Sequence, residues 1–207
     1  MADYRKPDYW QLKARKEGYP ARSVYKLDEM NSKFGLLHKA GKRGAALRIL
    51  DLGAAPGSWS LYVLRKIKTG GLLVSADLSP LSREFDRGLF DRENFFFIQG
   101  DITDQALWQE ILSRGPYSLL LSDAAPATTG SRSIDTARSL ELAEAVLAYA
   151  ETALETGADM ALKVFQGGDT ASILKRIKEL FDTGKSFKPQ ACRSESFETY
   201  YVGLGKK

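Results

Sequence analysis

The chain has 207 residues, 43% of them hydrophobic and 27% charged, which is typical of one soluble globular domain. It contains no apolar run of membrane-spanning length, and its first residues lack the apolar core of a signal peptide, so we expect a cytoplasmic protein without a membrane partner. Its single cysteine excludes an internal disulfide, and one cysteine with one histidine argues against a metal site of the zinc type.

The positive charge is concentrated near the N-terminus. Residues 1–48 carry 12 Lys and Arg against 5 Asp and Glu, whereas the net charge of the whole chain is only +4. Basic and aromatic residues alternate in this arm: Tyr4, Arg5, Lys6, Tyr9, Trp10, Lys13, Arg15, Lys16, Tyr19, Arg22, Tyr25 and Lys26. Because cations bind phosphates and aromatic rings stack on unpaired bases, the pattern favours an RNA-binding arm. A solvated arm that only aids solubility is the alternative.

The first predicted element is a helix over residues 23–35, where Val24, Leu27 and Phe34 recur at helical spacing. Strands and helices then alternate along the chain. In order, the sequence predicts a strand at 47–52, a helix at 58–68, strands at 72–76 and 95–99, a helix at 104–113, a strand at 117–122, a helix at 136–156, a strand at 160–165, a helix that begins after residue 168 and ends at 181, and strands at 186–188 and 199–204.

This alternation predicts an α/β, Rossmann-like fold, in which a mostly parallel seven-stranded sheet carries helices on both faces. The last two strands have no helix between them, so we expect them to form an antiparallel C-terminal hairpin at one edge. We divide the chain into a basic N-terminal helical extension, residues 1–45, packed on a main domain, residues 46–207.

A turn of small residues joins the first strand of the sheet to its helix. It reads Asp-Leu-Gly-Ala-Ala-Pro-Gly-Ser-Trp over residues 51–59. Gly53 and Gly57 allow a ligand to approach the backbone closely, and the helix N-terminus beyond them makes a polar pocket. A dinucleotide-binding oxidoreductase would carry G-x-G-x-x-G and a second nucleotide half, and neither is found. The turn therefore predicts a smaller cofactor that contains a nucleoside.

Four acids mark the carboxyl ends of four successive parallel strands, namely Asp51, Asp77, Asp101 and Asp123. The carboxyl ends of parallel strands share one edge of the sheet, where ligands bind. Asp77 follows the second strand, where an acid accepts hydrogen bonds from a ribose diol. Asp101 follows the third strand and is placed to meet an adenine amino group. These positions favour S-adenosylmethionine as the cofactor.

Five motifs in order resemble those of the FtsJ-type ribose 2′-O-methyltransferases. Besides residues 51–59, they are Arg-Ser-Val-Tyr-Lys-Leu-Asp at 22–28, Ser-Asp-Ala-Ala-Pro at 122–126, Lys-Val-Phe-Gln-Gly at 163–167 and Arg-Ser-Glu-Ser-Phe-Glu-Thr-Tyr-Tyr at 193–201. The resemblance extends from about Lys13 to the C-terminus, and it implies the methyltransferase version of the Rossmann-like fold.

The resemblance also implies a catalytic group of Lys26, Asp123, Lys163 and Glu198. Glu198 is chosen over Glu195 because it stands two residues before a tyrosine, as in the family pattern. The cofactor positions implied by the family are Gly57, Trp59, Asp77, Asp101 and Asp123, to which the turn itself adds Asp51 and Gly53. Whether Lys163 removes the proton of the hydroxyl or acts as a cation that orients it stays open.

The function implied is methylation of a ribose 2′-hydroxyl, most readily that of a uridine in large-subunit (23S) ribosomal RNA. We expect a monomer that contacts ribosomal RNA or the large subunit through Lys13, Arg15, Lys16 and Arg22. The alternatives are the same chemistry on transfer RNA or a messenger RNA cap, and a non-catalytic ribosome-assembly factor that binds RNA.

Overall fold

The computed structural model describes residues 8–40, 47–193 and 195–207. In these residues the elements are, in chain order, α1 (Tyr9–Lys16), α2 (Val24–Phe34), α3 (Leu36–Ala40), β1 (Leu47–Leu52), α4 (Ser58–Ile67), β2 (Gly71–Asp77), β3 (Phe95–Gln99), α5 (Gln105–Ser113), β4 (Tyr117–Ser122), α6 (Arg132–Ala153), β5 (Leu154–Phe165), α7 (Thr170–Leu180), β6 (Phe181–Phe187) and β7 (Glu198–Lys206), with a short 3₁₀ turn at Leu89–Asp91.

The strands form one seven-stranded sheet in the order β3-β2-β1-β4-β5-β7-β6. The pairs from β3 to β5 are parallel, whereas β7 pairs antiparallel with both β5 and β6. The predicted fold class and the antiparallel C-terminal hairpin are therefore confirmed. The insertion of β7 between β5 and β6 was not predicted, and it places the last strand of the chain beside the strand that carries Lys163.

Alternate residues of each strand face opposite layers of helices. In β1, Leu47 and Ile49 pack into a core shared with α1–α4, whereas Leu50 and Leu52 pack into a second core shared with α5–α7. This period of two is the geometry of a pleated strand that is buried on both faces. The two cores hold the sheet between its helical layers, and they leave the carboxyl ends of the parallel strands open to a ligand.

Several predicted boundaries around β5 and β6 are wrong, and the strands predicted at 160–165 and 186–188 are Leu154–Phe165 and Phe181–Phe187. The helix predicted over 136–156 begins at Arg132. It ends at Ala153, because the buried Leu154 already pairs with Tyr117 as the first residue of β5. The helix predicted to end at residue 181 ends at Leu180, since Phe181 pairs with Lys206 in β6. In both places strand pairing overrides the helical periodicity of the local sequence.

The basic N-terminal segment packs against the main fold. The Asp8 carboxylate caps α1 by accepting the Gln11 N–H at 2.9 Å, and Ala14 is fully buried in the core shared with α2 and α4. The predicted boundary at residues 45 and 46 lies outside the described residues, as do Tyr4, Arg5 and Lys6 of the arm. No helix in the described part of the chain is long and apolar enough to cross a membrane.

Candidate active site

A cavity of about 390 Å³ opens at the carboxyl edge of the parallel strands. Three of the predicted cofactor residues line it, namely Gly53, Asp77 and Asp101. The opposite wall is formed by the start of the loop after β4 and by Arg138 and Glu141 of α6. Its size falls within the range of about 300–1,000 Å³ that small-molecule sites occupy.

The glycines of the turn after β1 bring two loops into contact. Gly53 has a φ of +74°, and a Cβ atom there would lie 2.4 Å from the Cα of Ala124. Gly57 has a φ of +109° and begins α4, and a Cβ atom there would lie 3.0 Å from the ring of Phe90. Both positions therefore require glycine, and the loop after β4 can approach the cofactor turn only because Gly53 lacks a side chain.

Asp77 and Asp101 are held at the cavity by local hydrogen bonds. Asp77 accepts the Ala55 N–H at 2.9 Å and the Ser79 N–H at 2.8 Å, so its carboxylate also fixes the small-residue turn. Asp101 accepts the backbone N–H and the hydroxyl of Thr103, and these bonds hold its pKa below the usual range. Both side chains present acceptors to a ligand that carries hydroxyl or amino donors.

Asp51 lies beneath the turn and does not line the cavity. Its side chain is fully buried, and Oδ2 accepts the Ser60 hydroxyl at 2.7 Å while Oδ1 has no hydrogen-bond partner among the described residues. Burial, with smaller effects of Asp123 and Asp77, raises the pKa of Asp51 to about 7, although the Ser60 hydrogen bond opposes the rise. The carboxyl group thus holds the N-terminal end of α4, which follows the turn at residues 53–57, through its hydrogen bond with Ser60.

The Trp59 indole also lies away from the cavity. It is 2% exposed, its Nε1–H donates to the Ser23 carbonyl at 2.8 Å, and its ring packs against Tyr200 at 5.9 Å between centroids. Its backbone N–H lies in the first turn of α4, where the N–H groups of a helix have no carbonyl partner within the helix. The side chain joins α4 to the start of α2 and to β7.

The four predicted catalytic residues meet in one cluster, which we call the tetrad: Lys26, Asp123, Lys163 and Glu198. The Lys26 Nζ lies 2.7 Å from Glu198 Oε1, and the Lys163 Nζ lies 3.0 Å from Asp123 Oδ1. The four side chains are only 9–16% exposed, so the two ion pairs are largely shielded from solvent. Glu195, the neighbouring candidate, is exposed.

Opposing effects act on Asp123. Burial alone would raise its pKa, but the ammonium groups of Lys163 and Lys26 and hydrogen bonds from Tyr200 and Lys163 hold it below the usual range. Lys163 also donates to the Asp123 carbonyl at 2.6 Å. The carboxylate therefore stays ionised near neutral pH, and two oxygens of Asp123 fix the position of the Lys163 ammonium group.

Tyr200 is a member of the site that the sequence indicated only as part of a motif. Its hydroxyl donates to Asp123 Oδ1 at 2.6 Å, its ring lies beneath the Lys26 ammonium at 5.9 Å, and it pairs with Lys163 across β5 and β7. Burial, followed by the charges of Asp123 and Glu198, raises its pKa well above the usual value. The phenol is therefore a permanent donor that links both halves of the tetrad.

The arrangement suits the transfer of a group to a hydroxyl oxygen from a cofactor that contains a nucleoside. The loop that starts at Asp123 contributes Ala124 to the cavity, so the tetrad and the cavity are joined by adjacent residues. Among residues 8–40, 47–193 and 195–207, no group of three or more His, Cys, Asp or Glu side chains is arranged to hold a metal ion.

Known proteins that resemble this chain in sequence are methyltransferases. The family model of the FtsJ-like methyltransferases matches residues 19–206. The ribosomal RNA large subunit methyltransferase E of Treponema denticola is 48% identical over 204 residues, which is 99% of this chain and 97% of that protein. The protein of the same name from Oleidesulfovibrio alaskensis is 44% identical over 209 residues, covering 100% of this chain and 94% of its own length.

Solved structures agree with the fold. A Plasmodium falciparum protein described as a ribosomal RNA methyltransferase matches with a TM-score of 0.73 at 26% identity, over 91% of this chain and 98% of its own. Human methyltransferase-like protein 13, solved with S-adenosylhomocysteine, matches with a TM-score of 0.60 at 12% identity, over 87% and 82% of the two chains, and shows the shared fold alone.

Proposed function

The chain belongs to the FtsJ-like methyltransferase family, and from this premise we propose that it methylates the 2′-hydroxyl of a ribose in large-subunit ribosomal RNA. It is a methyltransferase whose cofactor is S-adenosylmethionine. The relatives at 44–48% identity that carry the large-subunit name cover nearly the whole chain, which supports the RNA target. Ribosomal RNA as partner implies a cytoplasmic site of action.

One observation carries the proposal for the chemistry, namely that Asp123 belongs to the tetrad while the next residue lines the cofactor cavity. When bound, S-adenosylmethionine would supply a methyl group on a sulfonium, so that the carbon–oxygen bond would form in line with the carbon–sulfur bond that breaks and a neutral thioether would leave. Holding the oxygen in that line contributes on the order of 7–11 kcal/mol to lowering the barrier. The acids Asp77 and Asp101 are proposed to bind the ribose diol and the adenine of the cofactor.

Lys163 is proposed to orient the hydroxyl and to stabilise the charge that develops on its oxygen. Its ion pair with Asp123 supports the cationic role over that of a base, because an ammonium group held 3.0 Å from a carboxylate can also donate to the hydroxyl oxygen. Lys26 and Glu198 form the second ion pair of the site, and the Glu198 carboxylate is proposed to accept the proton that the hydroxyl loses. All four side chains come from one chain, so a monomer suffices.

The basic arm supports RNA as the partner. Arg15 and Lys16 are exposed on α1, whereas Arg22 forms an ion pair with Asp8 and donates to the Ala191 carbonyl. We therefore propose that Arg15 and Lys16 contact phosphates, and that Arg22 fastens the arm to the loop before β7.

The test is to incubate the protein with methyl-labelled S-adenosylmethionine and large ribosomal subunits from cells that lack its gene. Small subunits and transfer RNA serve as competing substrates in parallel reactions. We expect label in one nucleotide of large-subunit RNA, mapped as a linkage that resists alkaline cleavage. Label on a base, or label in transfer RNA alone, would contradict the proposal.

A further inference from the structure

The loop between β4 and α6 contributes to two cavities. Residues 124–127 line the cofactor cavity, whereas Thr128 and Gly130 line a second cavity of about 430 Å³. We call the second cavity the acceptor groove. The residues that line it include Arg132, Phe165, Arg193, Phe197 and Glu198. Because Glu198 belongs to the tetrad, the groove reaches the reaction centre from the side that the cofactor cavity does not use.

The floor of the acceptor groove is aromatic. Phe197 is half-buried and packs edge-on against Phe165, with 4.8 Å between centroids and 64° between the ring planes. The guanidinium of Arg132, from the first turn of α6, lies 5.5 Å from the Phe197 centroid. A ring partly open to solvent with an arginine above it presents two flat surfaces, and these are the partners on which an unpaired nucleobase stacks.

The charge at the rim also fits RNA. Arg132 and Arg193 are exposed at the mouth of the groove, where phosphates would pass. Asp135 lines the groove as well, but its carboxylate accepts the N–H groups of Thr129 and Gly130 and is directed into its own loop. Glu195 is an exposed acid at the same rim. The groove thus combines an apolar floor with cations at its entrance.

An unpaired nucleotide can turn its 2′-hydroxyl towards the tetrad, and the base stacking that it gives up can be replaced by stacking on a protein ring. We propose that the acceptor groove binds the nucleoside to be methylated, with its base stacked on Phe197 in the place that the exposed Arg132 guanidinium takes in the free protein, and with Arg132 moved onto the outer face of the base. The inference rests on the proposed function and adds the residue that selects an unstacked base. Phe197 is then a positioning residue, because its contact with the base places the 2′-hydroxyl at the tetrad.

The first test uses binding alone. Wild-type protein, Phe197→Leu and Phe197→Tyr are titrated with a uridine dodecamer and with an abasic ribose-phosphate dodecamer. Phe96→Leu is the matched control, because Phe96 is a partly exposed ring with Arg114 at 4.2 Å on the far edge of the sheet. We expect the wild type, Phe197→Tyr and Phe96→Leu to prefer the uridine RNA by at least about fivefold, and Phe197→Leu to lose that preference.

The second test uses large ribosomal subunits as substrate. Phe197→Leu should raise the KM for subunits by at least about fivefold while the calorimetric affinity for S-adenosylmethionine stays at the wild-type value. An unchanged base preference and KM in Phe197→Leu would overturn the inference, and so would a parallel loss of cofactor affinity, which a structural role explains. If the wild type prefers the uridine RNA but transfers no methyl group to RNA, the proposed function is wrong, whereas base binding in the acceptor groove is retained.

Discussion

Lys26 and Glu198 form an ion pair of 2.7 Å that joins α2, near the start of the chain, to the first residue of β7, near its end. A second interaction supports this junction, because the Glu29 carboxylate accepts the N–H groups of Gln190 and Ala191 at 2.7 and 2.9 Å. Half of the tetrad is therefore created by docking of the N-terminal helices on the C-terminal loop, and the other half by the parallel sheet.

Tyr200→Phe tests the link between those halves. The change removes the hydroxyl that donates to Asp123 Oδ1 at 2.6 Å and keeps the buried ring. Because a hydrogen bond to a charged acceptor is removed beside the reacting group, we expect kcat to fall by about tenfold or more with an unchanged cofactor affinity. Tyr201→Phe is the matched control, since its hydroxyl donates to the Thr170 carbonyl on the other face of β7. Equal reductions of kcat in both variants would contradict a role for Tyr200 in the tetrad.

The strands of the parallel sheet were predictable because each is a short apolar run that ends at an acid. The predicted 47–52, 95–99 and 117–122 agree with β1, β3 and β4 residue for residue. The ends of α6, β5 and β6 were not predictable, since pairing with distant strands decides them. The insertion of β7 likewise depends on partners far away in the chain.

The site was predictable as a set of residues, but not as a geometry. The family motifs predicted Lys163 and Asp123, yet only the fold brings the tyrosine of the last motif between them. Trp59 was expected at the cofactor, and its side chain is instead packed between α2 and β7. An aromatic residue inside a motif gives no sign of which side of its helix it faces. Its assignment to the cofactor stays a prediction for its backbone alone.

Asp77→Asn tests the proposed cofactor contact. The carboxylate lines the cavity and accepts two backbone N–H groups, of which the amide oxygen can keep only part. We expect the dissociation constant for S-adenosylmethionine, measured by calorimetry, to rise by about tenfold or more, because the variant cannot form a charge-assisted hydrogen bond to the ribose. Asp104→Asn is the control, since Asp104 caps α5 outside the cavity lining and asparagine caps equally well. An unchanged affinity in Asp77→Asn would remove the ribose-diol role.

Asp51→Asn should change the pH dependence of the free energy of unfolding. The pKa of Asp51 is raised from 3.8 to about 7 in the folded protein, so the folded state keeps a proton that the unfolded state releases. The contribution of Asp51 to the free energy of unfolding therefore declines as pH rises between about 4 and about 7. Relative to wild type, Asp51→Asn should gain up to about 4 kcal/mol across that window in urea unfolding. A difference that stays constant with pH would contradict the raised pKa.

Charge reversal at Arg15 and Lys16 tests the basic arm. Both side chains are exposed on α1, so their replacement by glutamate should leave the fold intact and weaken RNA binding. We expect the slope of log affinity against log salt to fall by about 1 for each phosphate that the arm no longer neutralises. Reversal of the exposed Lys175 and Lys178 on α7 is the matched control for net charge. If both variants give the same slope as wild type, the arm does not bind RNA.

The most direct measurement is single-turnover methyl transfer from labelled S-adenosylmethionine to large ribosomal subunits by Lys163→Ala, with cofactor affinity measured in the same sample. Lys175→Ala is the control for removal of one lysine. We expect a rate at least about a hundredfold below wild type in Lys163→Ala, with cofactor affinity preserved, because the cation proposed to face the attacking oxygen is gone while the cavity is intact. Methyl transfer by Lys163→Ala at the wild-type rate would show that Lys163 has no part in the reaction.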